Sequence, residues 1–252
     1  MKKIKVGLCF SLFGLLLTGC AAGDNSIPDT PVEYLYTEAH TYFKDKNYEE
    51  AAKYFDEVEK QHPYSIWAPR AQIMTAYSFY NADKYDDAIL ALDRFIQLHP
   101  GNKNIAYAYY LKGLCYFEQM SDVSREQKMT EDALETFKEL LYRFPNSVYV
   151  ADVNEKLKEI YSHLAGKEMS VGRYYQKNKE FVPALNRFQS VLLDYPNANQ
   201  SSEALYRLAG CYVALGMIRQ SEQMLEILNY YYPQSVWTEK TKNLIKKYKK
   251  EK

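Results

Sequence analysis

The stretch from residue 62 to 100, HPYSIWAPRAQIMTAYSFYNADKYDDAILALDRFIQLHP, decides the fold. Its prolines, Pro63 and Pro100, stand 37 residues apart. Between them Ala76 is followed three residues on by Phe79, and Ala88 is followed four and seven residues on by Leu92 and Phe95. That spacing puts a small residue and its larger neighbours on one face of an α-helix. Proline cannot continue a helix and pushes its predecessor out of the helical region, so each proline marks an end. The stretch therefore predicts two amphipathic helices, A and B, that approach closely at their small residues.

Working outward, the same register recurs. The prolines Pro63, Pro100, Pro145, Pro196 and Pro233 close the strings HPYS, HPGN, FPNS, YPNA and YPQS. Twelve residues before each lies a small residue: Ala51, Ala88, Ala133, Ala184 and Ser221. Apolar residues follow these at four and seven: Phe55 and Val58, Leu92 and Phe95, Phe137 and Leu140, Phe188 and Val191, Leu225 and Leu228. In helix A the matched set is Ala39, Ala76, Gly113, Gly172 and Ala209, followed at three by Tyr42, Phe79, Tyr116, Tyr175 and Tyr212. This resembles the tetratricopeptide (TPR) repeat. The expected fold is all-α, an α-solenoid of about five helix-turn-helix repeats, with a C-terminal capping helix from Val236 to Lys250.

Two intervals are longer. About eight extra residues lie between the helices of repeat 3, around Ser121 to Met129, and read as a polar surface loop. About fourteen more, Ser147 to Leu164, carry Val150, Val153, Leu157, Ile160 and Leu164 at helical spacing and predict a lengthened first helix for repeat 4. These interruptions suggest an N-terminal half at 32–145 and a C-terminal half at 146–252.

The N-terminus has Lys2, Lys3 and Lys5 before an apolar run from Val6 to Leu17. That run is too short to span a bilayer, which takes roughly 20 residues, and reads as an export signal over 1–19. It ends in Leu17-Thr18-Gly19-Cys20, which resembles the bacterial lipoprotein box. The resemblance makes Cys20 the acylated first residue of the mature chain, and several acyl chains suffice for stable anchoring. Residues 20–31 then read as a flexible tether. Ala21, in the position where an aspartate would retain a lipoprotein at the inner membrane, implies sorting to the outer membrane.

Lys plus Arg and Asp plus Glu balance at 32 each, so no global field draws nucleic acid. Tyrosine is abundant, at 25 of 252 residues. Counting the inner-wall positions of the repeat pattern through helix A places Tyr36, His40 and Phe43 on the concave wall, then Ile73, Tyr77 and Tyr80, then Tyr107, Tyr110, Leu114 and Phe117. The later repeats put Gly166, Met169, Arg173, Gln176 and Lys177 there, then Glu203, Tyr206, Gly210, Val213 and Ala214. The aromatic lining is thus N-terminal, and it suits an extended peptide.

No phosphate loop, HExxH, CxxC or GxSxG motif occurs. Cys115 and Cys211 share one repeat position a whole repeat apart, which favours core packing over a disulfide. His62 and His99 precede repeat-ending prolines and read as helix closers. The lysines from Lys240 onward oppose the dipole of the last helix, with an acidic partner or lipid headgroups as the sharper alternative. No cofactor, metal or catalytic residue is expected.

Several strings are more specific: HPYSIWAPRAQIMTAYSFY (62–80), LDRFIQLHPGNKNIAYAYYLKGL (92–114), RFPNSVYVAD (143–152), EMSVGRYYQK (168–177) and ALNRFQSVLLDYPNA (184–198). With the lipobox and the repeats, they resemble the BamD (YfiO) family, the tetratricopeptide lipoproteins of the β-barrel assembly machinery. The resemblance implies a lipid-anchored protein on the periplasmic face of the outer membrane. It implies contact with the central barrel-forming subunit and with accessory lipoproteins, and an N-terminal groove for unfolded outer-membrane proteins. The groove would comprise Tyr36, Phe43, Tyr77, Tyr80, Tyr107, Tyr110 and Phe117. Arg187 matches the family arginine that meets the central subunit, and its place beside Phe188 turns it away from the helix seam. The alternatives are a scaffold of another envelope complex, in cell-wall or division machinery, and a lipid-anchored enzyme, for which the concave positions supply no acid–base pair.

Overall fold

The computed structural model describes residues 27–251 apart from Ser124 and Asn197. Among them lie eleven helices and no strand: α1 (Val32–Lys44), α2 (Tyr48–Gln61), α3 (Ala68–Asn81), α4 (Tyr85–Leu98), α5 (Ile105–Glu118), α6 (Lys128–Arg143), α7 (Val150–Lys177), α8 (Phe181–Asp194), α9 (Ser201–Ala214), α10 (Ile218–Tyr231) and α11 (Val236–Glu251). Each of α1 to α10 packs on its neighbours in chain order, and α11 closes the end against α9 and α10. This is the stack of five helix pairs with a capping helix. The expected signal segment, Cys9 and Cys20 lie outside the described residues.

The small residues do what the repeat requires. Ala51, Ala88, Ala133, Ala184 and Ser221 are fully buried, as are Ala39, Ala76 and Ala209. Phe55, Leu92, Phe137 and Phe188 fill the seams beside them. Leu225 is only half-buried, because α10 has only the capping helix beyond it. Cys115 and Cys211 are free thiols in the core.

Both kinds of turn repeat as well. Within a pair, one left-handed residue reverses the chain: Lys46 (φ 60°), Asp83 (57°), Lys179 (64°) and Gly216 (77°). The next N–H then reaches back to the carbonyl of Tyr42, Phe79, Tyr175 or Tyr212, at 2.8–2.9 Å, as in a Schellman closure. Between pairs, His62, His99, Phe144, Tyr195 and Tyr232 close helix B with an N–H bond to Val58, Phe95, Leu140, Val191 and Leu228. After Pro63, Pro100, Pro145 and Pro233, Ser65 Oγ, Asn102 Oδ1, Ser147 Oγ and Ser235 Oγ accept from the N–H two residues on, at 2.9, 2.9, 3.4 and 3.3 Å, and start the next helix. The HPYS-type strings thus encode a helix stop and a helix start.

One expectation needs correction, and one loop is more firmly held than its composition suggests. Residues 27–31 are pinned to α2: Thr30 N–H donates to Gln61 Oε1 at 3.0 Å, and Gln61 Nε2 donates to the carbonyls of Ile27 and Pro28 at 3.2 Å. His62 Nε2 meets the Thr30 carbonyl at 2.7 Å, so this histidine also fastens the entering chain. The segment between α5 and α6 is the expected surface loop, with Asp122, Arg125 and Glu126 exposed, and it is anchored. Gln127 is 9% exposed, and its amide donates to the carbonyls of Asp122, Val123 and Arg125. Val123 lies against Gly166 of α7, and Lys167 Nζ reaches the Arg125 carbonyl at 3.2 Å. The extra residues fold around one buried amide and rest on the long helix.

That helix, α7, runs 28 residues. Val153, Leu157, Ile160 and Leu164 belong to the core shared with α3 to α6, whereas Ala165 and Met169 belong to the core shared with α8 and α9. The change of core falls inside α7, between Leu164 and Ala165.

Candidate functional site

Helices α1, α3, α5 and the start of α7 bring their rings into one continuous row. Phe43 stacks on Tyr77 with centroids 5.4 Å apart; Tyr77 meets Tyr107 at 6.5 Å, Tyr107 meets Tyr110 at 6.5 Å, and Tyr110 stacks on Tyr149 at 4.5 Å. Tyr80 lies parallel to Tyr77 at 6.5 Å and edge-on to Tyr85 at 5.7 Å. Offset and edge-to-face contacts of this kind each add roughly 0.5–1.5 kcal/mol beyond area burial. The rings are half-buried: each packs partly on its neighbours and keeps part of its surface in solvent. Phe117, at the end of α5, is half-buried beneath Lys156 Nζ, 4.7 Å from its centroid.

Tyr36 does not belong to this open row. It is 7% exposed, wedged between Trp67 at 4.7 Å and Phe55 at 5.3 Å, so it is part of the core of the first repeat. Ile73 and Met169, expected on the wall, are buried too. Phe55 and Trp67 together enclose Tyr36, and the contact with Trp67 is a regular one. Tyr36, Tyr110 and Tyr206 occupy the same repeat position, and each meets the ring four residues after the next repeat-ending proline: Trp67, Tyr149 and Trp237, at 4.7, 4.5 and 5.1 Å. Tyr149, absent from the sequence-based wall, carries that signal: an aromatic residue at the same offset as both tryptophans.

Three of these phenols, Tyr80, Tyr107 and Tyr110, hold their protons more tightly than a free tyrosine. Burial first, then the charge of Glu118, pushes the Tyr80 hydroxyl up to about 12. Burial also raises Tyr107 and Tyr110, and Tyr110 Oη donates to Asp152 Oδ2 at 2.8 Å. At neutral pH the row is an uncharged surface with hydrogen-bonding edges.

Toward the C-terminus the wall changes character. Glu203 Oε1 takes both Arg173 at 2.9 Å and Arg207 at 3.0 Å, and Arg207 donates to Gln176 Oε1 at 3.1 Å. Arg187 stands apart on α8, exposed and turned away from the buried Phe188 as its position predicts. It pairs with Glu168 of α7 at 3.2 Å, a partner nineteen residues back in the chain. Of the C-terminal lysines, Lys249 meets Glu222 at 2.5 Å, Lys242 meets Glu239 at 3.7 Å, and Lys240 covers the Trp237 ring at 4.2 Å.

Among the described residues no group of three potential ligands is placed to hold a metal, and no helix is long and apolar enough to cross a membrane. Burial pushes the Cys115 thiol up to about 12 and the Cys211 thiol up to about 11, which keeps both from acting as thiolates near pH 7. Stacked helix pairs with a small buried residue at each crossing define a tetratricopeptide solenoid. The family model described as "Outer membrane lipoprotein", YfiO, matches residues 28–226. The outer membrane protein assembly factor BamD of Rickettsia prowazekii is 39% identical over 249 residues, covering 98% of this chain and 99% of that one. BamD of Caulobacter vibrioides is 41% identical over 209 residues, covering 83% and 68%. Among solved structures, the TPR2AB-domain:pHSP90 complex of yeast Sti1 aligns over 87% of this chain and 84% of that one, at 14% identity and a TM-score of 0.45. The chain belongs to the YfiO family of outer membrane lipoproteins.

Proposed function

We propose that this protein is a non-catalytic scaffold of outer-membrane β-barrel assembly. Anchored through Cys20 at the periplasmic face of the outer membrane, it attaches by its C-terminal repeats, with Arg187 at the contact, to the central barrel-forming subunit. Accessory lipoproteins complete the assembly. Its N-terminal repeats receive unfolded outer-membrane proteins along the wall of Phe43, Tyr77, Tyr80, Tyr107, Tyr110, Tyr149 and Phe117.

The relatives named as assembly factors support the process. The observation that carries the receptor role is the unbroken row of rings from Phe43 to Tyr149. Strands of outer-membrane proteins alternate apolar and polar side chains, so an extended segment presents one greasy edge and one wet edge. A row of neutral phenols offers both: faces for the apolar residues and hydroxyls for the backbone.

Site-specific photo-crosslinking in cells tests the proposal. A crosslinker in place of Tyr77 or Tyr110 should capture unfolded outer-membrane protein, and R187E should reduce co-purification of the central subunit at least tenfold. Capture of cell-wall synthases in place of both would assign the scaffold to another envelope complex.

A further inference from the structure

A cavity of about 450 Å³ opens between α2, α3 and α4, on a face of α3 other than the one bearing Tyr77 and Tyr80. Gln72 lines it. This residue is 5% exposed, and its Oε1 is buried with no hydrogen-bond partner. An amide oxygen withdrawn from water and left unmet is costly, and buried polar atoms are nearly always paired.

The repeat supplies a comparison. Gln72 lies four residues before the small residue of helix A, and the same position holds Leu35, Tyr109, Glu168 and Leu205 in the other repeats. Both leucines are buried. At the other polar members, a guanidinium from the following B helix is present. Arg143 Nη1 donates to Tyr109 Oη, with its guanidinium 5.5 Å from the ring centre, and Arg187 pairs with Glu168 at 3.2 Å. Only at Gln72 is the guanidinium missing: Arg94, which also lines the cavity, turns instead to Glu59 at 2.7 Å.

The charges in the cavity point the same way. Glu59 is matched by Arg94, and Asp56 by Lys60 at 2.8 Å. Asp87, on α4, faces the cavity with no ion pair among the described residues. One exposed carboxylate without an ion pair and one buried amide oxygen without a hydrogen bond remain, beside the apolar surfaces of Phe79 and Leu90.

We propose that this cavity takes an arginine side chain presented by a partner polypeptide. The planar guanidinium has five donors in a fixed fork, enough to serve Asp87 and, once the Gln72 side chain turns its sealed oxygen into the cavity, Gln72 Oε1 as well. Its methylene stem lies on Leu90 and its plane against Phe79. Because the surface is separate from the ring-lined wall, a subunit held here leaves that wall open to substrate. The inference goes beyond the proposed receptor role and survives if that role fails.

Fluorescence anisotropy on the full chain in detergent tests it, with a labelled, end-blocked Leu-Arg-Leu-Gly peptide and its citrulline counterpart. The arginine peptide should bind saturably, and the citrulline peptide at least tenfold more weakly. D87N should weaken the arginine peptide at least fivefold, whereas D86N, which removes the adjacent exposed charge, should not. Q72M, checked for an unchanged helical signal, should act like D87N. Equal binding of the two peptides, or equal behaviour of D87N and D86N, would overturn the proposal. So would sedimentation of the unliganded chain as a dimer that the arginine peptide splits, which would assign the cavity to a second copy of the chain.

Discussion

Phe188 of α8 occupies the space that a side chain on Gly172 of α7 would need: a Cβ there would stand 2.5 Å from Phe188 Cε1. Gly113 and Phe137 stand in the same relation one repeat earlier, closer still. Where helix A carries alanine instead, the facing residue is leucine in repeats 2 and 5, at Leu92 and Leu225, and phenylalanine in repeat 1, at Phe55. In the two repeats beside the interruptions the ring fills the place a glycine leaves empty. We expect G172A to lower stability by about 1–2 kcal/mol, overpacking outweighing the gain in helix propensity. Adding F188L should recover at least half of that, measured by urea unfolding. If G172A alone proves neutral, the close approach carries no strain.

The Arg187–Glu168 pair is exposed on the arginine side, and pairs of that kind contribute less than about 1 kcal/mol. R187E should therefore leave the melting temperature nearly unchanged while weakening attachment to the central subunit. The exchange R187E/E168R restores the internal pair with the charges in each other's places. Attachment that returns with the exchange would show that the pair only holds α7 to α8. Attachment that stays lost would place the arginine itself at the contact.

Tyr149 stacks on Tyr110 at 4.5 Å and ends the row of rings. Y149A should cut photo-crosslinking from Tyr110 by at least half, because the facing ring loses its support. Unchanged capture would remove Tyr149 from the wall.

The protonated phenols set an alkaline limit. Tyr80 binds its proton more tightly folded than unfolded, so its contribution to stability is complete below pH 10 and is lost as the pH rises toward about 12. Y80F removes that contribution. Its stability should fall less steeply above pH 10 than that of the unaltered chain, followed by circular dichroism together with the phenolate absorption band.

Lys179 turns the chain between α7 and α8 at φ 64°, where Gly216 serves the last repeat. A side chain in this left-handed conformation costs roughly 1–2 kcal/mol, partly offset by the lower entropy of the unfolded chain relative to glycine. K179G should therefore raise stability by about 0.5–1 kcal/mol, read as an increased urea midpoint at constant slope.

The repeat could be read from the sequence because its constraints are local and periodic. A small residue at each helix crossing and a proline at each B-to-A turn leave marks at fixed distances, and even the lengthened α7 kept its apolar spacing. The site was legible only where a residue's own register decides its surroundings, as at Tyr77 or Tyr107. Tyr36 shares the register of Tyr110 and is nevertheless sealed, because it is wedged between Phe55 and Trp67. The pinning of residues 27–31 by Gln61, the closing of the inserted segment on Gln127 and the meeting of Glu168 with Arg187 all join residues across a turn. No period announces such pairs.

The long α7 also orders events at the ribosome. Emergence of Pro145 does not complete the first large core, since Val153, Leu157, Ile160 and Leu164 must still cover α5 and α6. The core of repeats 2 and 3 can seal only after translation has passed into the helix that begins the next unit. A chain released before residue 164 leaves an open greasy flank, whereas one released just beyond it has a closed front and a bare helical stub on which α8 and α9 would have assembled.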